Sequence, residues 1–123
     1  MNRPSPSAPG SGYATLARAA RPFIQEIPVD EADRLLRQEA ALWVDVREPE
    51  ELEALAPPAG AVNLPLRLLP AAALAAVDDL HRPLIVACGR GDRSALAALR
   101  LGEAGYTRVY SLAGGLLAWV LRD

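Results

Sequence analysis

The chain's one cysteine, Cys88, lies in Ala87-Cys88-Gly89-Arg90-Gly91-Asp92-Arg93-Ser94, between the apolar run Pro83-Leu84-Ile85-Val86 and the helical pattern Ser94-Ala95-Leu96-Ala97-Ala98-Leu99. A glycine-rich turn from a strand into a helix puts unpartnered backbone N–H groups and the positive end of the helix dipole beside whatever the turn carries. With Arg90 and Arg93 in the same turn, the residue types describe a nucleophilic thiolate held by amides and guanidinium groups. An ordinary thiol with a pKa near ~8.5 is only about 3% ionised at neutral pH. A cation about 5 Å away at an effective dielectric of about 20 is worth roughly 3 kcal/mol before screening, enough to make the thiolate the main form. Asp92 subtracts from this field and leaves the turn with a formal charge of plus one from Arg90, Arg93 and Asp92. The competing reading is a buried, inert thiol, since free cysteine packs as a small hydrophobe.

No base for Cys88 is evident nearby. His81, the only histidine, precedes the same strand and stands about 23 Å away at roughly 3.3 Å per residue, so a cysteine–histidine dyad is excluded and His81 reads as a loop residue. Asp45 and Arg47 follow the apolar run Ala41-Leu42-Trp43-Val44 and read as a supporting ion pair at a strand end. Glu48, Pro49, Glu50 and Glu51 form the acidic first turn of a helix. Ser94 is expected as a helix N-terminal hydroxyl that steadies the turn, Gly114-Gly115 as a turn and Trp119 as a core anchor.

These residues need elements to position them. At 123 residues and 51% hydrophobic content the chain suits a single domain. Residues 1–20, rich in Pro, Ser, Gly and Ala, read as a flexible lead-in containing a possible short helix over Tyr13 to Arg21, and residues 21–123 as the domain. Strands are expected at Phe23–Ile27, Ala41–Val46, Val62–Pro65, Leu84–Ala87 and Arg108–Leu112. Helices are expected from Val29 to about Gln38 with Asp30 as N-cap, from Leu68 to Val77, from Ser94 onward, and from Leu116 to Leu121. Alternating strands and helices imply an α/β fold with a largely parallel sheet and helices on both faces. Ligands of such sheets bind beyond the carboxyl ends of the strands, where Asp45, Cys88 and Gly114 would gather.

Composition removes other chemistries. Net charge is −2, and the basic residues are dispersed, which gives no footprint for nucleic acid. One cysteine and one histidine offer no metal cluster and no internal disulfide. All thirteen basic residues are arginine, so there is no lysine for a Schiff base or a phosphate-binding loop. With neither a signal sequence nor an apolar stretch of membrane-spanning length, a cytoplasmic location and no membrane partner are expected.

Five segments together resemble a single-domain rhodanese, a thiosulfate-type sulfurtransferase. They are Asp45-Val46-Arg47-Glu48-Pro49-Glu50-Glu51, Gly60-Ala61-Val62-Asn63-Leu64-Pro65, Cys88 to Ser94, Leu101-Gly102-Glu103-Ala104-Gly105-Tyr106 and Gly114-Gly115-Leu116-Leu117-Ala118-Trp119. The resemblance implies a five-stranded, mostly parallel rhodanese-like sheet flanked by helices on both faces. It further implies that Cys88 accepts a sulfane sulfur as a persulfide, cradled by Arg93 and the amides of Gly89, Arg90, Gly91, Asp92 and Ser94. One departure is Ala56-Pro57-Pro58-Ala59-Gly60-Ala61, which replaces a Gly-His pair common in the family; altered loop shape is expected there, with the chemistry kept. Only four residues separate Cys88 from Arg93, a tighter ring than in related cysteine phosphatases and better matched to one sulfur atom.

The chemistry that follows is double displacement. A small anionic donor such as thiosulfate, held by Arg90 and Arg93, would transfer sulfur to Cys88 without a cofactor or external base. Lacking a second cysteine, the persulfide would discharge onto an external acceptor: cyanide, a small thiol or a protein thiol. The alternatives are a persulfide carrier or regulatory module that serves a dedicated protein partner, and a non-catalytic binding domain.

Overall fold

The structure, a computed structural model, describes residues 12–122. Two strands dominate it because two segments carry unbroken apolar runs: β2 (Leu42–Asp45) and β4 (Leu84–Ala87) are buried along their whole length. Strands covered on both faces belong at the centre of a parallel sheet, and there they pair, with Asp45 beside Ala87. The shorter β1 (Gln25–Ile27), β3 (Val62–Asn63) and β5 (Val109–Leu112) complete the order β1-β5-β4-β2-β3, every pairing parallel.

Side chains alternate across this sheet, as the two-residue period of a strand demands. Leu42, Val44, Leu84 and Val86 pack on one face with Ala73 of α4 (Ala71–Ala76) and Ala97 and Leu101 of α5 (Asp92–Glu103). Trp43, Ile85 and Ala87 pack on the other with Leu35 of α2 (Val29–Gln38) and Leu116 and Trp119 of α6 (Gly115–Val120). Trp119 is the expected anchor: its ring meets Trp43 edge-on at 5.0 Å. From β2 the chain moves outward to β3, and from β4 it moves the opposite way to β5. The crevice beyond Asp45 and Ala87 is therefore the topological switch point of the sheet, the place where such folds hold ligands.

Several boundaries differ from the sequence reading. Residues 21–23 form a 3-10 turn, so the first strand starts at Gln25. Pro28 takes the N-cap position of α2, and Asp30 lies in its first turn, where its charge meets the positive helix end. The helix expected from Leu68 begins only at Ala71, because Pro70 disfavours helical backbone at Leu69, which is extended (ψ 146°). The short helix foreseen over Tyr13 to Arg21 within the lead-in is present as α1 (Tyr13–Ala20), and it packs along α5 with Ala17 and Ala20 buried. Residues 1–11 of that segment lie outside the described residues. No described helix is long and apolar enough to cross a membrane.

Candidate active site

Cys88 leaves the end of β4 with its side chain on the α5 face of the sheet, only 2% exposed. Its sulfur nevertheless meets polar groups: the amides of Gly91 and Ser94 donate to Sγ at 3.1 and 3.3 Å. Cys88 is thus both packed against the core and held by amides. The turn closes on the sulfur because Gly91, at the N-cap of α5, has φ +112°, a backbone region that disfavours side chains. α5 then starts at Asp92, and the free N–H of its third residue, Ser94, points back at Sγ.

Three further contacts hold the turn. The Ser94 hydroxyl, fully buried, lies 3.1 Å from the Gly91 carbonyl oxygen, to which it donates, and 2.9 Å from the Ser111 hydroxyl on β5. Ser94 thus steadies the turn as expected, though from inside the first helical turn and not as its N-cap. From below, the first amides of α6 grip the loop: Leu116 donates to the Cys88 carbonyl at 2.7 Å and Leu117 to that of Gly89 at 3.1 Å. Gly115 permits this approach. Its φ is +64°, and a Cβ there would stand 2.6 Å from the Cys88 and Gly89 carbonyl oxygens. Sequence reasoning saw Gly114-Gly115 as a turn and missed that α6 clamps the cysteine loop through it.

The arginines divide the expected work differently. Arg93 makes a bidentate pair with Glu51 of α3 (Glu51–Ala54), both bonds 2.8 Å. Glu51 above all keeps Arg93 protonated against the cost of burial, with smaller contributions from Cys88 and Tyr13. In return Arg93, more than any other group, holds the Glu51 carboxyl below its ordinary value, and the Glu48 amide adds a bond of 2.8 Å. Arg90 is exposed and makes no hydrogen bond or ion pair among the described residues. The Asp92 carboxylate receives a 3.0 Å bond from Arg21, which leaves the backbone amide as the group Asp92 can offer to an anion.

Asp45 and Arg47 form the supporting pair foreseen at the end of β2, both nearly inaccessible to solvent. Arg47 binds the carboxylate through Nε and Nη2 at 3.0 and 2.7 Å, then donates to the carbonyls of Glu51 and Leu55 at 3.1 and 2.8 Å. The buried pair thereby fixes α3, and α3 presents Glu51 to Arg93. Asn63 closes this strut from β3, donating to the Asp45 and Arg47 carbonyls at 3.0 and 2.8 Å. His81 is exposed beside Thr107, away from the cysteine loop, as its place ahead of β4 requires. Glu51 and Arg21 are the two residues the sequence reading missed. Only the acidic run around Glu51 gave any signal, and that run is accounted for equally well by a helix start.

A buried sulfur that faces two amides at the switch point of a five-stranded parallel sheet defines an α/β protein with a single cysteine at its ligand-binding edge. The family model for the rhodanese-like domain matches residues 28–122. A thiosulfate sulfurtransferase GlpE of Pseudomonas syringae pv. syringae is 36% identical over 95 residues, 77% of this chain and 86% of that protein. A sulfurtransferase of Allochromatium vinosum is 36% identical over 89 residues, 72% of this chain and 79% of that one. The polysulfide-sulfur transferase of Wolinella succinogenes, solved as a homodimer, superimposes with a TM-score of 0.71 at 27% identity, covering 89% of this chain and 82% of that one. The chain belongs to the rhodanese-like family and is a sulfurtransferase of rhodanese type.

Proposed function

We propose that the chain moves a sulfane sulfur from thiosulfate, or a related anionic donor, to an external acceptor through a persulfide on Cys88. The thiolate attacks the outer sulfur of the donor, the new S–S bond forms as the old one breaks, and the electron pair leaves on sulfite. A nucleophile, which is cyanide or a thiol, then takes the terminal sulfur and returns Cys88 to the thiolate. The observation that carries this reading is the pair of amides that donate to Sγ inside the closed loop, where the sulfur that attacks the donor must be held. No proton need move at Cys88 in either step when it attacks as the thiolate, and among the described residues only backbone amides bond its sulfur.

Arg90 and Arg93 take different parts. Exposed and without an acidic partner among the described residues, Arg90 is the cation that meets the donor. Arg93, saturated by Glu51 on one edge, closes the loop as a positioning residue and keeps its other N–H groups for the donor. A lone thiol that must stay reduced between turnovers suits a reducing compartment such as the cytoplasm.

Replacing Cys88 with Ser should abolish transfer from thiosulfate to cyanide and remove the mass gain of about 32 Da seen after donor treatment. Turnover by Cys88→Ser overturns the assignment. The 2% exposure of Cys88 favours a second reading, in which a partner protein opens or completes the site and the domain acts as a persulfide carrier. Persulfide formation with negligible steady-state turnover would select it.

A further inference from the structure

Charge around the cysteine loop is almost wholly compensated. Arg93 has Glu51, Asp92 has Arg21, and among the described residues Arg90 alone is left over. The Arg21–Asp92 contact is the unusual member. Arg21 opens the 3-10 turn that follows α1, lies before the segment matched by the family model, and reaches 71 residues along the sequence to the first residue of α5. Its position is held by packing: Ala17 and Ala20, 0% and 1% exposed, lie where α1 runs along α5, and side chains that small let two helices approach closely. Arg21 also donates Nε to Glu26 at 3.2 Å, so one guanidinium bridges two carboxylates.

We propose that Arg21 is a positioning residue that sets the charge of the Cys88 loop by binding Asp92, and so controls how well the site accepts an anionic donor. Asp92 lies between Gly91, whose amide holds the sulfur, and Arg93. Uncompensated, its carboxylate would oppose any anion approaching Sγ. With Arg21 bound, that charge is cancelled and the field of Arg90 prevails. Both partners are about one-third exposed at the side chain, 37% and 33%, and pairs so placed contribute little to folding. Their effect is therefore on the loop's charge. The inference deepens the proposed sulfur transfer and rests on it for its consequence in donor use.

The test uses the full chain and its single cysteine. Rates of Cys88 alkylation are compared for iodoacetate, an anion, and iodoacetamide, a neutral reagent of similar size. Arg21→Gln should lower the iodoacetate-to-iodoacetamide ratio about threefold while leaving the neutral rate near wild type, a change of the size a single half-screened charge exerts. Adding Asp92→Asn to Arg21→Gln should restore the ratio, and Arg21→Lys should largely keep it. In the transfer assay the same variants should shift KM for thiosulfate in parallel and leave kcat nearly unchanged. An unchanged ratio in Arg21→Gln overturns the proposal, as does a fall that Asp92→Asn does not reverse, which would mark Arg21 as a mere structural tie. Alkylation needs no sulfur donor, so a chain that forms no persulfide from thiosulfate defeats the functional reading while the ratio still decides the role of Arg21. A Cys88 that takes neither reagent overturns both.

Discussion

Two struts of charged residues reach the cysteine loop, one from β2 and α3, the other from the end of α1, and they differ in almost every physical respect. The first is built on Asp45 and Arg47, whose side chains are 0% and 4% exposed, and it satisfies backbone carbonyls of α3 before handing Glu51 to Arg93. The second is a single guanidinium, 37% exposed, between Glu26 and Asp92. A charge removed from water is costly unless fully paired, so the buried strut tolerates no missing member and sets geometry. Where solvent screens a pair, little folding energy is at stake, and what remains is local potential. One loop is thus held in shape from one side and adjusted in charge from the other.

The contrast is most exposed to failure at Arg47. Replacing Arg47 with Ala leaves Asp45 buried and unpaired and should cost about 3 to 5 kcal/mol in urea unfolding; a loss no larger than that of Arg21→Gln would erase the distinction between the struts. Next in size is Gly115→Ala, where strain at positive φ and the collision with the Cys88 carbonyl should cost about 2 to 3 kcal/mol and slow persulfide formation. Wild-type stability in Gly115→Ala would mean that α6 does not clamp the loop. Glu51→Gln sharpens the comparison through pH. Since Arg93 depresses the Glu51 carboxyl below its ordinary value of 4.5, the unfolded chain binds more protons in that range, and the stabilisation from Glu51 is fully present above about pH 4.5 and lost as pH falls through the depressed value. The difference in urea midpoint between wild type and Glu51→Gln should accordingly be largest near neutrality and shrink in acid; a pH-independent difference would remove the ionic role of Glu51. Smallest is the stability change in Arg21→Gln, expected at about 0.5 kcal/mol or less by thermal unfolding.

How far the sequence discloses each strut follows from its chain separation. β2, β4 and the start of α5 are visible as apolar runs and a glycine turn, because burial on both faces and positive φ leave marks at the residues concerned. The Asp45–Arg47 pair is legible too, its members two residues apart at a strand end. The bounds of α2 match the sequence reading and only its N-cap differs, Pro28 in place of Asp30, whereas the start of α4 lies beyond the expected Leu68, where Pro70 overrides the hydrophobic pattern. α1 is legible as a short helix but its docking is not: Ala17 and Ala20 are buried against α5, and alanine carries no strong mark of burial.

The chain's own order of residues determined a parallel α/β sheet, a lone cysteine at the end of a central strand, and a glycine turn that brings helix amides to the sulfur. Each of these is signalled by residue patterns within single elements, although the strands themselves pair across long stretches of chain. Only the tertiary structure decided which acid answers which arginine: Glu51 meets Arg93 across 42 residues and Asp92 meets Arg21 across 71. Exposed charges obey no periodicity, and a guanidinium accepts any carboxylate that folding brings within reach, so their pairing is settled by the packing of α1 and α3 around the loop.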